Sequence, residues 1–171
     1  MISNRSSGFK RLMDQHGDPD SKENIFAMIS SYENKIQNRV PLQDIKPEHF
    51  HKAMNDSIDF IEMSDRILSF VKQLSLTIRV RKELAQKQYD FEEIKARKQI
   101  ESLQIISEIS NKTEKTKIVQ RMIQEQLLEQ INKYETLKLE YDLSLAYVED
   151  AVRTRELTYA YYQAVKQVTK M

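Results

Sequence analysis

The chain has 171 residues, 31% charged and 40% apolar, with a formal net charge of +1. That length suits one domain, and the charge balance leaves no global field to draw the chain to nucleic acid or membrane, so any such affinity rests on local patches. Cysteine is absent, which excludes disulfides; with no signal-peptide h-region and no apolar run near the ~20 residues of a membrane span, a cytoplasmic protein with no membrane partner is expected.

Residues 1–20 hold both glycines, Gly8 and Gly17, and then Pro19. Their apolar residues show no sustained period, which predicts a mobile tail. The alternative is a short partner-binding segment anchored by Phe9, Leu12 and Met13. Residues 21–46 read as a short helix and a connector. Ser21 can cap the helix, Ile25, Phe26, Ile29, Tyr32 and Ile36 recur at helical spacing, and the helix should end near Asn38, before Pro41.

From Pro47 to the end there is no further proline or glycine. Leu, Ile, Glu, Lys, Gln, Arg and Ala fill the space, residues that lose little on entering a helix. The fold class expected is all-α. Residues 47–171 form a long antiparallel, coiled-coil-like helical hairpin with its tip near 110–113; one continuous rod is the alternative. Pro47 suits the first helical turn. Phe60, Met63, Ile67, Phe70 and Leu74 mark the predicted seam. Ile58, Ile61, Leu68 and Val71 make a second stripe, too broad for two helices alone, so the N-terminal helix or another subunit must cover it. At the tip, Asn111 tolerates the left-handed conformation and Thr113 can cap the next helix.

Charge placement supports the same turn. The section 79–98 has seven cations and four acids, and would lie beside 125–150, with two cations and seven acids. Residues 44–65 carry −4, and 151–171 carry +3. Opposite signs meet along both halves, fixing an antiparallel register that sets Lys82 beside Glu140 and Lys98 beside Glu125. On the second arm, one seam position takes Tyr134, Tyr141, Val148, Arg155 and Tyr162. The other takes Leu137, Ser144, Ala151, Thr158 and Val165, whose small members allow close approach. Arg155 calls for a carboxylate or marks an oligomer contact. Tyrosine-rich surface suits interfaces. Ile61, Phe70, Val71, Tyr141, Arg155 and Tyr162 are therefore the expected oligomer interface of a homo-oligomer.

Chemistry is sparse. Glu48-x-x-His51 has the spacing of a di-iron ligand pair, but no second pair exists. No phosphate loop, nucleophile elbow or Cys/His cluster is present. No catalytic residue, metal site or cofactor is assigned, and a non-enzyme is expected. Three basic clusters are candidates for nucleic acid: Arg79, Arg81 and Lys82; the tip residues Lys112, Lys115, Lys117 and Arg121; and Arg153 with Tyr159 and Tyr161, where cations would meet phosphates and tyrosines would stack on bases. The competing reading pairs the first and last clusters with the opposite arm.

Leu139-Glu140-Tyr141, then Asp150-Ala151-Val152-Arg153-Thr154-Arg155 and the aromatic run behind it, resemble the C-terminal helix of UvsY-type recombination mediators of T4-like phages. Ile78 to Ala96 is similar to that family's basic first helix. The likeness spans about half the chain; the first 45 residues have no counterpart, and Ser110 to Thr113 replaces the family's glycine-containing loop. The resemblance implies an oligomeric protein that binds single-stranded DNA and helps load a recombinase. The alternative is an assembly or scaffold protein, such as a virion component, a chaperone or a secretion-stalk protein, acting through protein contacts alone. A membrane-binding helical dimer is a third option, which the alternation of basic with acidic clusters disfavours.

Overall fold

The structure, a computed structural model, describes residues 7–170. Every regular element among them is helical, as the sequence predicts. In order they are α1 (Ser7–His16), α2 (Pro19–Gln37), two 3-10 turns (Leu42–Asp44 and Pro47–His49), α3 (Phe50–Glu101), α4 (Gln104–Ser107), α5 (Lys112–Gln126) and α6 (Leu128–Val168). They form two compact units. Unit one joins the chain up to Thr77 to the chain from Asp142; unit two is Ile78–Tyr141.

In unit one, the first part of α3 and the last part of α6 lie antiparallel, with α1 and α2 packed on them. The expected mobile tail gives way to helix: residues 7–16 form α1, and α2 already begins at Pro19. Residues 1–6 of that tail lie outside the described residues. Phe9, Leu12 and Met13 share one face of α1 and are all buried. Phe9 meets Phe26 and Tyr147 edge-on, with ring centroids 6.0 and 5.3 Å apart. Gly8 serves this docking, because a Cβ there would sit 2.7 Å from the Tyr147 hydroxyl. A ten-residue helix cannot hold itself in water, so α1 exists by this packing.

The cap of α2 is Asp18, not Ser21. Asp18 accepts from the Asp20 amide and the Ser21 hydroxyl, and Pro19 sits in the first turn where its missing N–H costs nothing. The helix ends at Asn38 as predicted. Its Tyr32 donates to Thr158 Oγ1 at 2.7 Å, since the Thr158 proton goes to the Thr154 carbonyl. Lys35 pairs with Asp59 at 2.9 Å.

The seam of α3 differs from the predicted one. Buried positions run Ala53, Ser57, Phe60, Ser64, Ile67, Val71, Leu74 and Ile78, a strict heptad pattern. Met63 and Phe70 fall on its shoulder, half-buried, and Ser64 and Val71 take their places. The small Ser57 and Ser64 are tolerated because each hydroxyl donates to a carbonyl one turn back, Met54 and Ile61 respectively. On α6, the Leu137, Ser144, Ala151, Thr158, Val165 series is the buried one. Ser144 Oγ donates to Ser75 Oγ at 2.9 Å, the close approach that small residues permit. Arg155 finds its carboxylate in Asp65.

In unit two, the rest of α3 faces α5 and the start of α6 around a core of Ala96, Ile100, Ile106, Val119, Ile123 and Leu127. Lys82 lies over the Tyr141 ring, 4.5 Å from its centroid, which is the predicted register. The tip is broader than predicted. α3 stops at Glu101 instead of reaching 109, and Ser102 and Ser107 turn their hydroxyls back onto the Gln99 and Gln104 carbonyls. Ile106 folds inward to plug the core. Asn111 caps α5 instead of ending α3 in the left-handed region: its φ is −77°, and it accepts from the Thr113 and Glu114 amides.

Candidate nucleic-acid interface

The three predicted clusters fare differently. In unit two, Arg79 is exposed and bonded at 2.8 Å to Glu83 one turn on, which raises its pKa and lowers that of Glu83. Lys82 is held over Tyr141. Arg81 is exposed. The pairing partner of Arg79 thus comes from its own helix and not from the opposite arm.

The tip residues all lie on α5, yet they do not converge. At 100° per residue, Lys112 and Lys115 share one side while Lys117 and Arg121 share roughly the opposite one. Arg121 bonds Glu125 at 2.9 Å. Among the described residues no acid pairs with Lys112, Lys115 or Lys117. Lys112 and Lys117 are exposed and Lys115 is half-buried.

In unit one, the stacking pair is corrected. Tyr161 is only 8% exposed and donates to the Val40 carbonyl at 3.0 Å, so its face is closed to a base. Burial pushes its pKa upward. Tyr159 is 52% exposed, its ring tilted against Tyr162. Arg153 is exposed and lines a cleft of about 170 Å³ with Tyr32, Ile36, Arg39, Asp150, Leu157 and Thr158. Arg39 sits 5.0 Å over the Tyr161 ring. No pattern in the sequence marks Arg39, because only the docking of α2 on α6 brings it beside Arg153.

The expected oligomer residues are also redistributed. Val71 is buried inside its own chain and drops out as an interface residue. Ile61, Phe70, Tyr141 and Tyr162 are half-buried, and Arg155 is exposed but paired with Asp65. The second stripe of α3 is partly covered by helices of the same chain, which removes much of the ground for a second subunit at that place. Glu48 lies in a 3-10 turn and His51 in α3, so one continuous α-helix does not present them as a pair. Among the described residues no helix is long and apolar enough to cross a membrane, and no three His, Asp or Glu side chains gather as a metal site would need.

No family model, curated protein or solved structure matches this chain.

Proposed function

We propose that the chain is an oligomeric, non-enzymatic accessory protein of the cytoplasm that binds single-stranded DNA through the cations of its tip and assists the loading of a recombinase. The observation that carries the DNA reading is the set Lys112, Lys115 and Lys117, which the fold leaves without acidic partners among the described residues. Charge not consumed by folding is available to displace counterions from phosphates. The recombinase rests on the resemblance alone. Arg153 and Tyr159 are auxiliary groups at the DNA.

Replacing Lys112, Lys115 and Lys117 with Ala is expected to weaken binding to a labelled single strand. It should flatten the log–log salt dependence by about 0.7 for each phosphate no longer neutralised, with helicity unchanged. Tyr159→Ala should lower affinity with little change in salt slope, since stacking releases no counterions. Wild-type protein that ignores single strands at low salt would remove the DNA reading.

A second reading is an assembly protein acting through protein contacts alone. It is favoured by the apolar side chains that unit two leaves in water, which the DNA reading does not use.

A further inference from the structure

Four large apolar side chains stand exposed on one face of α3 in unit two. Val80, Leu84, Phe91 and Ile94 are 48, 61, 66 and 59% exposed. At 100° per residue they fall within about 80° of arc. With Lys87 and Lys98 they recur in alternating steps of four and three, the spacing of a coiled-coil seam. The buried Ile78, Ala85, Ala96 and Ile100 lie on the opposite side of the helix. One helix thus carries two seams, one filled by its own chain and one bare.

The other edge of the unit carries a matching strip. Leu128 and Leu139 of α6 are 57 and 69% exposed, with Asn132 and Glu135 between them at the same alternating steps. This strip faces away from the buried Leu137 and Glu140, and so away from α3. The two strips are of opposite charge. The α3 seam contains Lys87 and Lys98, with Arg81 and Lys95 on one shoulder, Lys95 paired with Glu92 at 3.7 Å. On its other shoulder Glu83 is bonded to Arg79, and Asp90 accepts from Gln86 at 2.7 Å. The α6 strip contains Glu135, with Glu129 and Lys138 on its shoulders.

Pairing like with like fails. Two α3 seams in parallel would set Lys87 against Lys87; antiparallel, they would bring Asp90 onto Asp90 and Arg81 onto Lys95. Antiparallel pairing of α3 with α6 sets Phe91 beside Leu139, places Ile94 at Glu135, and brings Lys98 within a turn of the same carboxylate. We propose that the α3 edge of unit two docks on the α6 edge of unit two of a second copy of this chain. The interface is heterologous, so each copy keeps one edge of each kind, and assembly proceeds head to tail into a ring or a filament. This rests on the oligomeric part of the function proposed above and not on DNA binding.

The test uses the full chain in light scattering at micromolar concentration. Wild type should exceed a dimer. Phe91→Glu spoils the α3 edge and Leu139→Glu the α6 edge, and the two introduced acids repel where they would face each other. Each substitution is at an exposed position, so far-UV circular dichroism should not change, and each variant alone should be a monomer, its self-association weakened at least ~100-fold. Mixed in equal amounts, the two variants should form a 1:1 dimer and nothing larger, because one supplies an intact α6 edge and the other an intact α3 edge. If either variant loses helicity, Ile94→Gln and Leu139→Gln repeat the test with milder changes. A dimer of Leu139→Glu alone would overturn the proposal in favour of α3 pairing with itself. An unchanged size for Phe91→Glu beside an oligomeric wild type would overturn the docking edge and spare the oligomer. A monomeric wild type would overturn both.

Discussion

Unit one and unit two share the same two long helices; in unit one α1 and α2 cover a broad face of them, whereas unit two adds only α5 and the four-residue α4. In unit one α1 and α2 supply Phe9, Leu12, Met13, Ile25, Ile29 and Tyr32, all buried. Phe60 is enclosed between Tyr32 and Tyr161, with centroids 6.4 and 6.0 Å away. Unit two has a core without a single phenylalanine, and its one Phe, Phe91, is in water. A helix pair has a narrow interface, and a broad apolar face needs a third element. Where the chain provides that element, the hydrophobic positions close; where it does not, they remain as an edge.

The sharpest break of this comparison is a matched pair of phenylalanines. Phe60→Ala is expected to cost about 3–5 kcal/mol in denaturant unfolding, through the transfer energy of the ring and the cavity left behind. Phe91→Ala should stay within about 0.5 kcal/mol under conditions where the chain is monomeric. Comparable losses would erase the distinction between covered and bare faces.

Next in size, Ile106→Ala should cost about 2–4 kcal/mol, because the side chain is buried in the small core of unit two. Hydrogen exchange should quicken around Ile100 and Val119 first, with α1 and α2 protected as before. Equal loosening of α2 would show that the two units do not open separately.

The smallest effect is a titration. Burial raises the pKa of Tyr32 above its ordinary 10.0, and that of Tyr161 likewise. The folded state therefore holds these protons after the unfolded chain has released its own. The stabilisation is complete below about pH 10 and declines as pH rises from there toward the raised folded values. Tyr32→Phe should cost about 1 kcal/mol at neutral pH, for removal of the bond to Thr158. It should also make stability fall less steeply above pH 10. An unaltered alkaline slope would mean that Tyr32 does not contribute to it.

The helix pair and its register are legible because glycine and proline are missing after Pro47 and because charge runs of opposite sign meet across the turn. Arg155 on Asp65 follows from that pattern, whereas Arg79, Lys95, Arg97 and Arg121 take acids of their own helices. The predicted seam is displaced by one position at Met63 and Phe70, where Ser64 and Val71 are the buried residues. Ser64 reads as surface in sequence, and only its bond to the Ile61 carbonyl makes it fit for burial. α1 escapes a sequence reading because Phe9, Leu12 and Met13 make a single short apolar patch, and nothing local reveals that Tyr147 lies ready to receive it. The break near Asn111 is legible, but its roles are not: the sequence offers Thr113 as the cap and Asn111 as a left-handed end, and the structure makes Asn111 the cap. The earlier stop at Glu101 is hidden, since Ser102 bonds the Gln99 carbonyl just as Ser57 and Ser64 bond theirs inside unbroken α3. Of the candidate site, Lys112 and Lys117 keep their expected exposure, while Tyr161 is withdrawn by packing that sequence spacing does not encode.

The aromatic clustering of unit one also gives the molecule a built-in optical label. The chain has no tryptophan and eight tyrosines, of which Tyr32, Tyr147, Tyr159, Tyr161 and Tyr162 belong to unit one. Phe9, Phe26, Tyr147, Tyr32, Phe60 and Tyr161 hold their rings about 5–6 Å apart, steeply inclined to one another, and all six lie in that unit. Rings fixed in such a chiral cage give near-ultraviolet circular dichroism, so that signal reports chiefly the melting of unit one. Far-ultraviolet signal reports the melting of all the helices. A heating curve in which the second begins to fall before the first would reveal a partly open chain with its N-terminal helices still seated, with no label attached.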